Sequence, residues 1–357
     1  MPSRILLIRL SAIGDVIHAL FGLAALRAAR PDARIGFLVE DRAAALIEGH
    51  PDLDRVHVFA RKNWQDGLLS SPTTVVGAAA DFLSELRRER YDVAVDLQGN
   101  LKGGVLSRLS GAPRRIGLAA GFGKEGNHRF QTEWVSLPEG PLHRVDRVLY
   151  LLGPLGVQGA AGTPRVAVRE EDRADKDAYL SVEKLTPGAF AVLHPGTSAF
   201  GAHKRWMPER FAELARALRA DHGLSSVVTW GPGEEELARE VVAGSDGTAL
   251  VGPHTRRLTA LGALIESAAI FVGADTGATH LSALLRTPTV GLFGPKDPRI
   301  YSPRGERVAV VYAGVDCSPC KLRSCPDPIC MHSITTGDVL RAVGGLLPAR
   351  KLTEDQK

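Results

Sequence analysis

The chain of 357 residues has no apolar run long enough to cross a bilayer. Its opening "MPSRILLIRL" is broken by Arg9, and the next apolar stretch, Ala19 to Leu26, stops at Arg27. Neither reads as the core of a signal peptide or as a spanning helix, so the expected compartment is the cytosol. There is no strong charge bias either: the formal net charge is +4, too small to mark a general nucleic-acid binder. No G-x-G-x-x-G follows the first strand, which counts against a dinucleotide oxidoreductase. "GFGKEG" lacks the glycine that a P-loop sets ahead of Gly123. Cysteine is scarce, and all four residues fall in one segment, which excludes a disulfide framework distributed over the chain. Hydrophobic residues at 44% and charged residues at 24% are ordinary globular usage, against disorder, coiled coil or fibre.

Two domains are expected on length alone, each of roughly 150 residues. Short aliphatic and β-branched runs alternate with stretches of helical period. Strands are expected at Ile5–Leu10, Ile35–Val39, Val56–Ala60, Val93–Leu97 and Arg115–Leu118 in the first half. In the second they are expected at Ala189–His194, Ser226–Trp230, Leu250–Gly252, Phe271–Gly273, Thr289–Phe293 and Val308–Tyr312. Amphipathic segments such as Ala19–Ala29, Ala78–Arg90, Pro208–Ala220 and Glu234–Ala243 separate them. This alternation predicts α/β architecture, with parallel sheets covered by helices on both faces. The pattern lapses between Gly153 and Gly188, giving a first domain at 1–165, a linker at 166–187 and a second domain at 188–357. Two doubly wound sheets place ligands at the carboxyl ends of their strands, in a cleft between the two halves.

Three strand ends carry chemistry-bearing residues. In "RLSAIGDVIHAL", Gly14 permits a close approach, and Asp15 and His18 share a helix face at i and i+3. Asp15 equally suits the positive end of a helix dipole, a matter of about 0.3–1 kcal/mol. In "AVLHPGTSAFGAHKRWMPERF", His194, Gly196, Thr197 and Ser198 follow a strand, and Lys204 and Arg205 precede the helix that Pro208 opens. Such a turn offers N–H and O–H groups to phosphate with cationic counter-charge, although a plain loop with incidental basic residues has the same composition. In "FVGADTGATHLSALL", Asp275 or Thr276 can cap a helix whose first N–H groups, at Gly277 and Ala278, suit an anion. Capping does not require His280, yet a half-buried histidine is more often structural than catalytic.

Two further clusters stand apart. Asp52-Leu53-Asp54 resembles a metal-binding acid pair but sits where a turn should precede a strand. Cys317, Cys320, Cys325 and Cys330 in "CSPCKLRSCPDPICMH" suggest a structural zinc or an iron–sulfur centre in a reducing compartment, with free buried thiols as the rival reading. Between Gln98 and Tyr150, eight Lys and Arg stand against four acids, a strip that could face an anionic partner or simply water.

Taken together, "ILLIRLSAIGDVIHAL", "DLQGNLKGG", "HRVDRVL", "LHPGTSAFGAHKRW", "WGPGEEELA" and "FVGADTGATHLSALLRTPTVGLFGPKDP" resemble, in order, the segments of glycosyltransferase family 9, the ADP-heptose:lipopolysaccharide heptosyltransferases. The resemblance implies a GT-B fold, two Rossmann-like domains facing each other across a cleft, with acceptor on the first and nucleotide sugar on the second. It implies an inverting displacement that needs no metal, with Asp15 as base and Lys204 opposing charge on the departing diphosphate. Thr197, Ser198, Lys204, Asp275, Thr276, Gly277 and His280 would cradle an ADP-heptose-type donor, and a glutamate of Glu234-Glu235-Glu236, taken as Glu234, would hold ribose or adenine. Gly14, His18, Arg61, Lys102 and His143 are the acceptor-side candidates. The basic strip would suit the phosphates and acids of a lipid A–Kdo or heptosylated core acceptor, reached by a cytoplasmic enzyme peripheral to the inner membrane. Phe21 replaces a proline common in the family, and Met207 splits its usual Trp-Pro pair. Neither distinguishes the first heptose transfer from later ones. Two other classes remain open on the same fold: a nucleotide-sugar epimerase and a non-catalytic nucleotide-binding protein.

Overall fold

The computed structural model describes residues 3–255, 257–322 and 324–347. The chain divides into two compact units, Met1–Ala167 and Val168–Lys357. Unit one contains β1 (Arg4–Ile8), α1 (Ile13–Ala29), β2 (Arg34–Glu40), α2 (Asp41–Ala44), β3 (Arg55–Phe59), α3 (Arg61–Ser70), α4 (Pro72–Arg88), β4 (Val93–Asp96), α5 (Leu101–Leu109), β5 (Arg114–Leu118), β6 (Glu133–Val135) and α6 (Arg144–Leu152). Its strands form one parallel sheet in the order β3-β2-β1-β4-β5-β6. β1 is central, with Ile5 opposite Ile35 on one side and Val93 on the other. Ile5, Leu6, Leu7 and Ile8 are all buried, because helices cover both faces and leave no polar side to alternate with. α1 packs on α6, and Gly22 allows this closeness: a Cβ there would stand 2.3 Å from Val148 Cγ1.

Unit two begins with α7 (Glu170–Val182) and continues through β7 (Phe190–His194), α8 (Pro208–His222), β8 (Ser225–Val228), α9 (Glu235–Ala243), β9 (Ala249–Val251), α10 (Leu258–Glu266), β10 (Ile270–Ala274), α11 (Gly277–Leu284), β11 (Thr289–Phe293), α12 (Pro298–Tyr301), β12 (Val308–Tyr312), α13 (Ile329–His332) and α14 (Thr336–Leu346). The strand order is β12-β11-β10-β7-β8-β9, again parallel. One core layer joins Trp206, Phe211, Leu214 and Leu218 to β7, β8 and β10. These are the two Rossmann-like units of the GT-B fold.

In each unit the winding reverses beside a central strand, at β1/β4 in the first and β7/β10 in the second. Loops leaving such a pair diverge to opposite faces and open a crevice at the carboxyl ends. The loops concerned start at Arg9 and Leu97 in unit one and at Pro195 and Asp275 in unit two, so within each unit topology brings together segments far apart in sequence.

Two elements depart from the sequence reading. Residues 170–182, assigned to the linker, form α7, which packs on α10 through unit two and buries Asp172 and Leu180. Its charged composition hid a single apolar contact line. β6 was not anticipated, because a three-residue edge strand carrying an exposed Trp134 has no apolar run to announce it.

Asp96 closes β4 and is fully buried. Its Oδ1 accepts from the N–H groups of Gln98 (2.9 Å) and Gly99 (3.1 Å), and its Oδ2 from Asn127 Nδ2 (2.5 Å) and Gln131 Nε2 (3.3 Å). Burial pushes this carboxyl up, while the hydrogen bonds from Asn127, Gly99 and Gln98 work against it. Asp96→Ala leaves several buried donors unsatisfied, at roughly 1–3 kcal/mol each. Urea denaturation should show a loss of about 3 kcal/mol, and a change below about 1 kcal/mol would mean the loop does not depend on this carboxylate.

Candidate functional site

In unit one, Asp15 lies in the first turn of α1, three residues past the N-cap Ala12. Arg9, one residue beyond β1 and itself buried, places Nη2 2.5 Å from Asp15 Oδ2 and donates through Nη1 to the Leu97 carbonyl. Burial works to raise the Asp15 pKa, but the charges of Arg9 and Arg144, the Arg9 hydrogen bond and the Ala12 N–H together hold the carboxyl below its usual range. The positive end of a helix dipole would by itself lower the value. The direction is the same, but two guanidinium groups are the main cause. His18 Nδ1 stands 4.0 Å from Asp15 Oδ1, and its ring meets that of His143 edge-on at 5.7 Å between centroids. His143 caps α6, its Nδ1 accepting from the Val145 N–H at 3.2 Å. Asp15, His18 and His143 are thus one cluster, joined by Arg9 and Arg144. Gly14 lies beside it in the first turn of α1.

A second group forms on Glu40, 3% exposed at the end of β2. Lys102 Nζ is 2.8 Å and Arg61 Nη1 3.7 Å from the same Oε1. Gln98 Oε1 accepts from the Leu10 N–H at 3.0 Å and ties the loop after β4 to the strand end before Ser11. Arg61 and Lys102 therefore converge, on an acid that sequence reading did not single out. The basic strip is narrower than its composition suggests. Arg114 pairs with Glu133 at 2.6 Å, and Arg115 donates to the carbonyls of Phe130, Ala112 and Pro113.

In unit two, the loop after β10 is built on Asp275. Lys204 Nζ lies 2.7 Å from its Oδ2 and His280 Nε2 3.5 Å from its Oδ1. Burial would raise the Asp275 carboxyl, but the His280 hydrogen bond and the Lys204 charge keep it low and ionised. Thr276 is the N-cap of α11, yet its side chain makes no capping bond: Oγ1 faces Thr279 Oγ1 at 3.4 Å, and Thr279 donates to the Ala274 carbonyl. The expected side-chain cap is absent because Asp275 is committed to Lys204 and His280, which leaves the first N–H groups of α11, at Gly277 and Ala278, uncapped by either residue. His280 is buried behind Asp275 rather than presented outward.

The loop after β7 carries Thr197, buried, and Ser198, exposed. Arg205 Nε reaches Thr197 Oγ1 at 3.3 Å, and its Nη2 reaches both Thr197 O and Glu234 Oε1 at 3.1 Å. Glu234 is the N-cap of α9, its Oε2 accepting from the Gly231 N–H at 3.1 Å. Gly196 faces this carboxylate so closely that a Cβ would stand 2.1 Å from Oε2. Among the three consecutive glutamates, Glu234 alone is set into the loop; Glu235 pairs along α9 with Arg239 at 2.5 Å. His194 donates or accepts at Thr229 Oγ1, 3.0 Å away, and burial holds its pKa down to about 4. Sequence reading missed Arg9, Arg144 and Glu40, and it named Arg205 only as counter-charge, not as the partner of Thr197 and Glu234. The one available signal was a charged residue ending an otherwise apolar strand, at Arg9 and Glu40.

The metal reading of the cysteines gains no support, and the four thiols are free. Cys317 is exposed, Cys320 and Cys325 are half-buried, and Cys330 is buried. Cys325 Sγ points to the Asp327 carbonyl at 3.2 Å, and Cys330 lies under Gly294, where a Cβ would stand 2.9 Å from its sulfur. Among the described residues no three His, Cys, Asp or Glu side chains converge as metal ligands. Burial, with the neighbouring Cys317 and Cys320 thiols, pushes the Cys330 thiol up, but the arrangement of the described residues gives no support to a zinc or iron–sulfur centre.

A family model described as glycosyltransferase family 9 (heptosyltransferase) matches residues 80–329. The chain belongs to glycosyltransferase family 9. This glycosyltransferase is 29% identical over 326 residues to lipopolysaccharide heptosyltransferase 1 of Pseudomonas aeruginosa, covering 90% of this chain and 87% of that one. It is 25% identical over 309 residues to lipopolysaccharide heptosyltransferase 3 of Escherichia coli K12, covering 84% and 85%. Among solved structures, Escherichia coli heptosyltransferase WaaC with ADP-2-deoxy-2-fluoro heptose matches with a TM-score of 0.74 and 25% identity over 95% of this chain and 98% of that one.

Proposed function

We propose that this glycosyltransferase moves a heptose from an ADP-heptose-type donor to the inner core of lipopolysaccharide, either lipid A–Kdo or an already heptosylated core. The similar proteins named above act in that chemistry, and one is solved with an ADP-heptose analogue. The observation that carries the reading is the α11 N-terminus: an ionised Asp275 fixes Lys204 beside N–H groups that no side chain of Asp275 or Thr276 occupies. That combination suits a diphosphate, which gains negative charge as the sugar leaves. Glu234 would take the hydroxyls of the nucleoside ribose, with Thr197 and Ser198 alongside the phosphates.

In the proposed step the acceptor hydroxyl oxygen attacks the anomeric carbon, the bond from that carbon to the diphosphate oxygen breaks, and the hydroxyl proton passes to Asp15. The anomeric configuration inverts. A carboxylate held low by Arg9 and Arg144 is a weak base for a neutral alcohol, so transfer occurs late, once the attacking oxygen has become acidic. Gly14 leaves room for the acceptor. His18, His143, Arg61 and Lys102 would orient its acids and phosphates, Glu40 holding the last two. No helix among the described residues is long and apolar enough to cross a membrane. Access to a lipid-borne acceptor would then be peripheral, from the cytoplasmic side.

The test is incubation of purified enzyme with ADP-heptose and heptose-deficient lipopolysaccharide, followed by mass spectrometry of the glycolipid. The expected product is the acceptor heavier by one heptose, with ADP released only when both substrates are present. Conversion of the nucleotide sugar without acceptor would indicate an epimerase, and ADP binding without turnover of either would indicate a binding protein.

A further inference from the structure

His203 occupies the 3-10 turn Ala199–Lys204 in the loop after β7, ahead of α8. It is 7% exposed, and among the described residues neither ring nitrogen has a hydrogen-bond partner. A buried polar group left in this way costs on the order of 1–3 kcal/mol. Two cations act on the ring: Lys204, next along the same turn, and Lys296, from the loop after β11. Lys204 is matched by Asp275 after β10, whereas Lys296 makes no ion pair among the described residues. Among the described residues no carboxylate lies within ion-pair distance of the imidazole, and only burial, Lys204 and Lys296 shift it. Burial first, then the charges of Lys204 and Lys296, hold its pKa below the usual histidine range, so the ring is neutral at neutral pH. An unsatisfied imidazole beside an uncompensated ammonium is a poor arrangement for the protein alone and a favourable one for a polyanion.

We propose that His203 is a further ligand of the donor diphosphate, charging by uptake of a proton when the diphosphate arrives beside Lys204 and Lys296. The inference rests on the donor reading above and adds to it a residue and a proton. The incoming phosphate charge cancels the field of the two lysines, lifts the imidazole pKa and gives both N–H groups an acceptor. Affinity must then fall as pH rises, because only the protonated ring makes these bonds.

ADP-ribose is a suitable probe, since its diphosphate has no group titrating near neutrality. Calorimetric titration of the full chain in two buffers of different ionisation heat reads the proton directly. Wild type should take up about 0.5–1 proton per ADP-ribose near pH 7, and its Kd should weaken about tenfold between about pH 6 and 8.5. His203→Gln should take up none, with a flat pH profile that meets wild type within about twofold at about pH 8.5. Lys296→Gln keeps the ring and should move the half-uptake pH upward, so the inference stays testable if His203→Gln misfolds. Binding by wild type without proton uptake, uptake that persists in His203→Gln, or an unmoved profile in Lys296→Gln would overturn it. In the second case the proton belongs to another group, His280 being the nearest histidine on Asp275. Wild type that binds neither ADP-ribose nor ADP would overturn the donor reading itself, a result distinct from binding without a proton.

Discussion

Asp15→Asn should lower heptose transfer by roughly 10³-fold while ADP binding stays within about twofold of wild type. The amide keeps the shape of the carboxylate but cannot accept the proton. Binding is expected to survive because Lys204, Glu234 and Asp275, the residues proposed to hold the nucleotide, all belong to the other unit. The substitution has a structural cost too, since Arg9 is buried and would lose its ionic partner. Near-ultraviolet circular dichroism therefore needs to accompany the kinetics. The pH profile offers an independent check. With Asp15 held below the usual carboxylate range, the base form persists through the neutral region, and kcat/KM should fall only as the pH drops through that lowered value. Arg9→Gln removes the largest attractive charge, so the acid limb should move to higher pH. Transfer at wild-type rate in Asp15→Asn would eliminate this carboxylate as the base.

Lys204→Met should cut kcat by about 10²–10³-fold, with a smaller change in KM for the donor. The charge on the leaving diphosphate is greater in the transition state than in the bound donor, so a cation aimed there acts mainly on the barrier. The same change strips Asp275 of its 2.7 Å partner and leaves His280 alone beside a buried carboxylate. The Asp275 pKa should then rise. Lys204→Arg retains charge and should restore part of the rate. If the entire loss in Lys204→Met falls in KM, the lysine serves ground-state binding and the leaving-group argument fails.

The strands were legible because they are buried on both faces: runs such as Ile5–Ile8 and Ile270–Ala274 are apolar throughout, bounded by polar turns. The strand-end loops were legible too, since a glycine, a hydroxyl and an acid directly after an apolar run have few purely structural uses. What could not be read was pairing across long sequence distances. Arg144 is more than a hundred residues from Asp15, and Glu40 meets Lys102 only because β2 and β4 flank β1. The cap at Thr276 was misjudged for a related reason: local rules allot the threonine oxygen to a backbone N–H, whereas Thr279 engages it here. The cysteines were legible as a cluster, since Cys317 and Cys320 act on Cys330, but spacing along the chain does not by itself report ligand geometry.

Gly196 and Glu234 interlock across two loops, leaving no volume for even one methyl group between them. Drift at either position is therefore conditional on the other. A descendant that acquires alanine at 196 must shorten or swing the acid at 234, and doing so unfastens both Gly231 and Arg205. The two loops inherit change as a pair, so a lineage that switches nucleotide preference through residue 234 should carry the mark of that switch at residue 196.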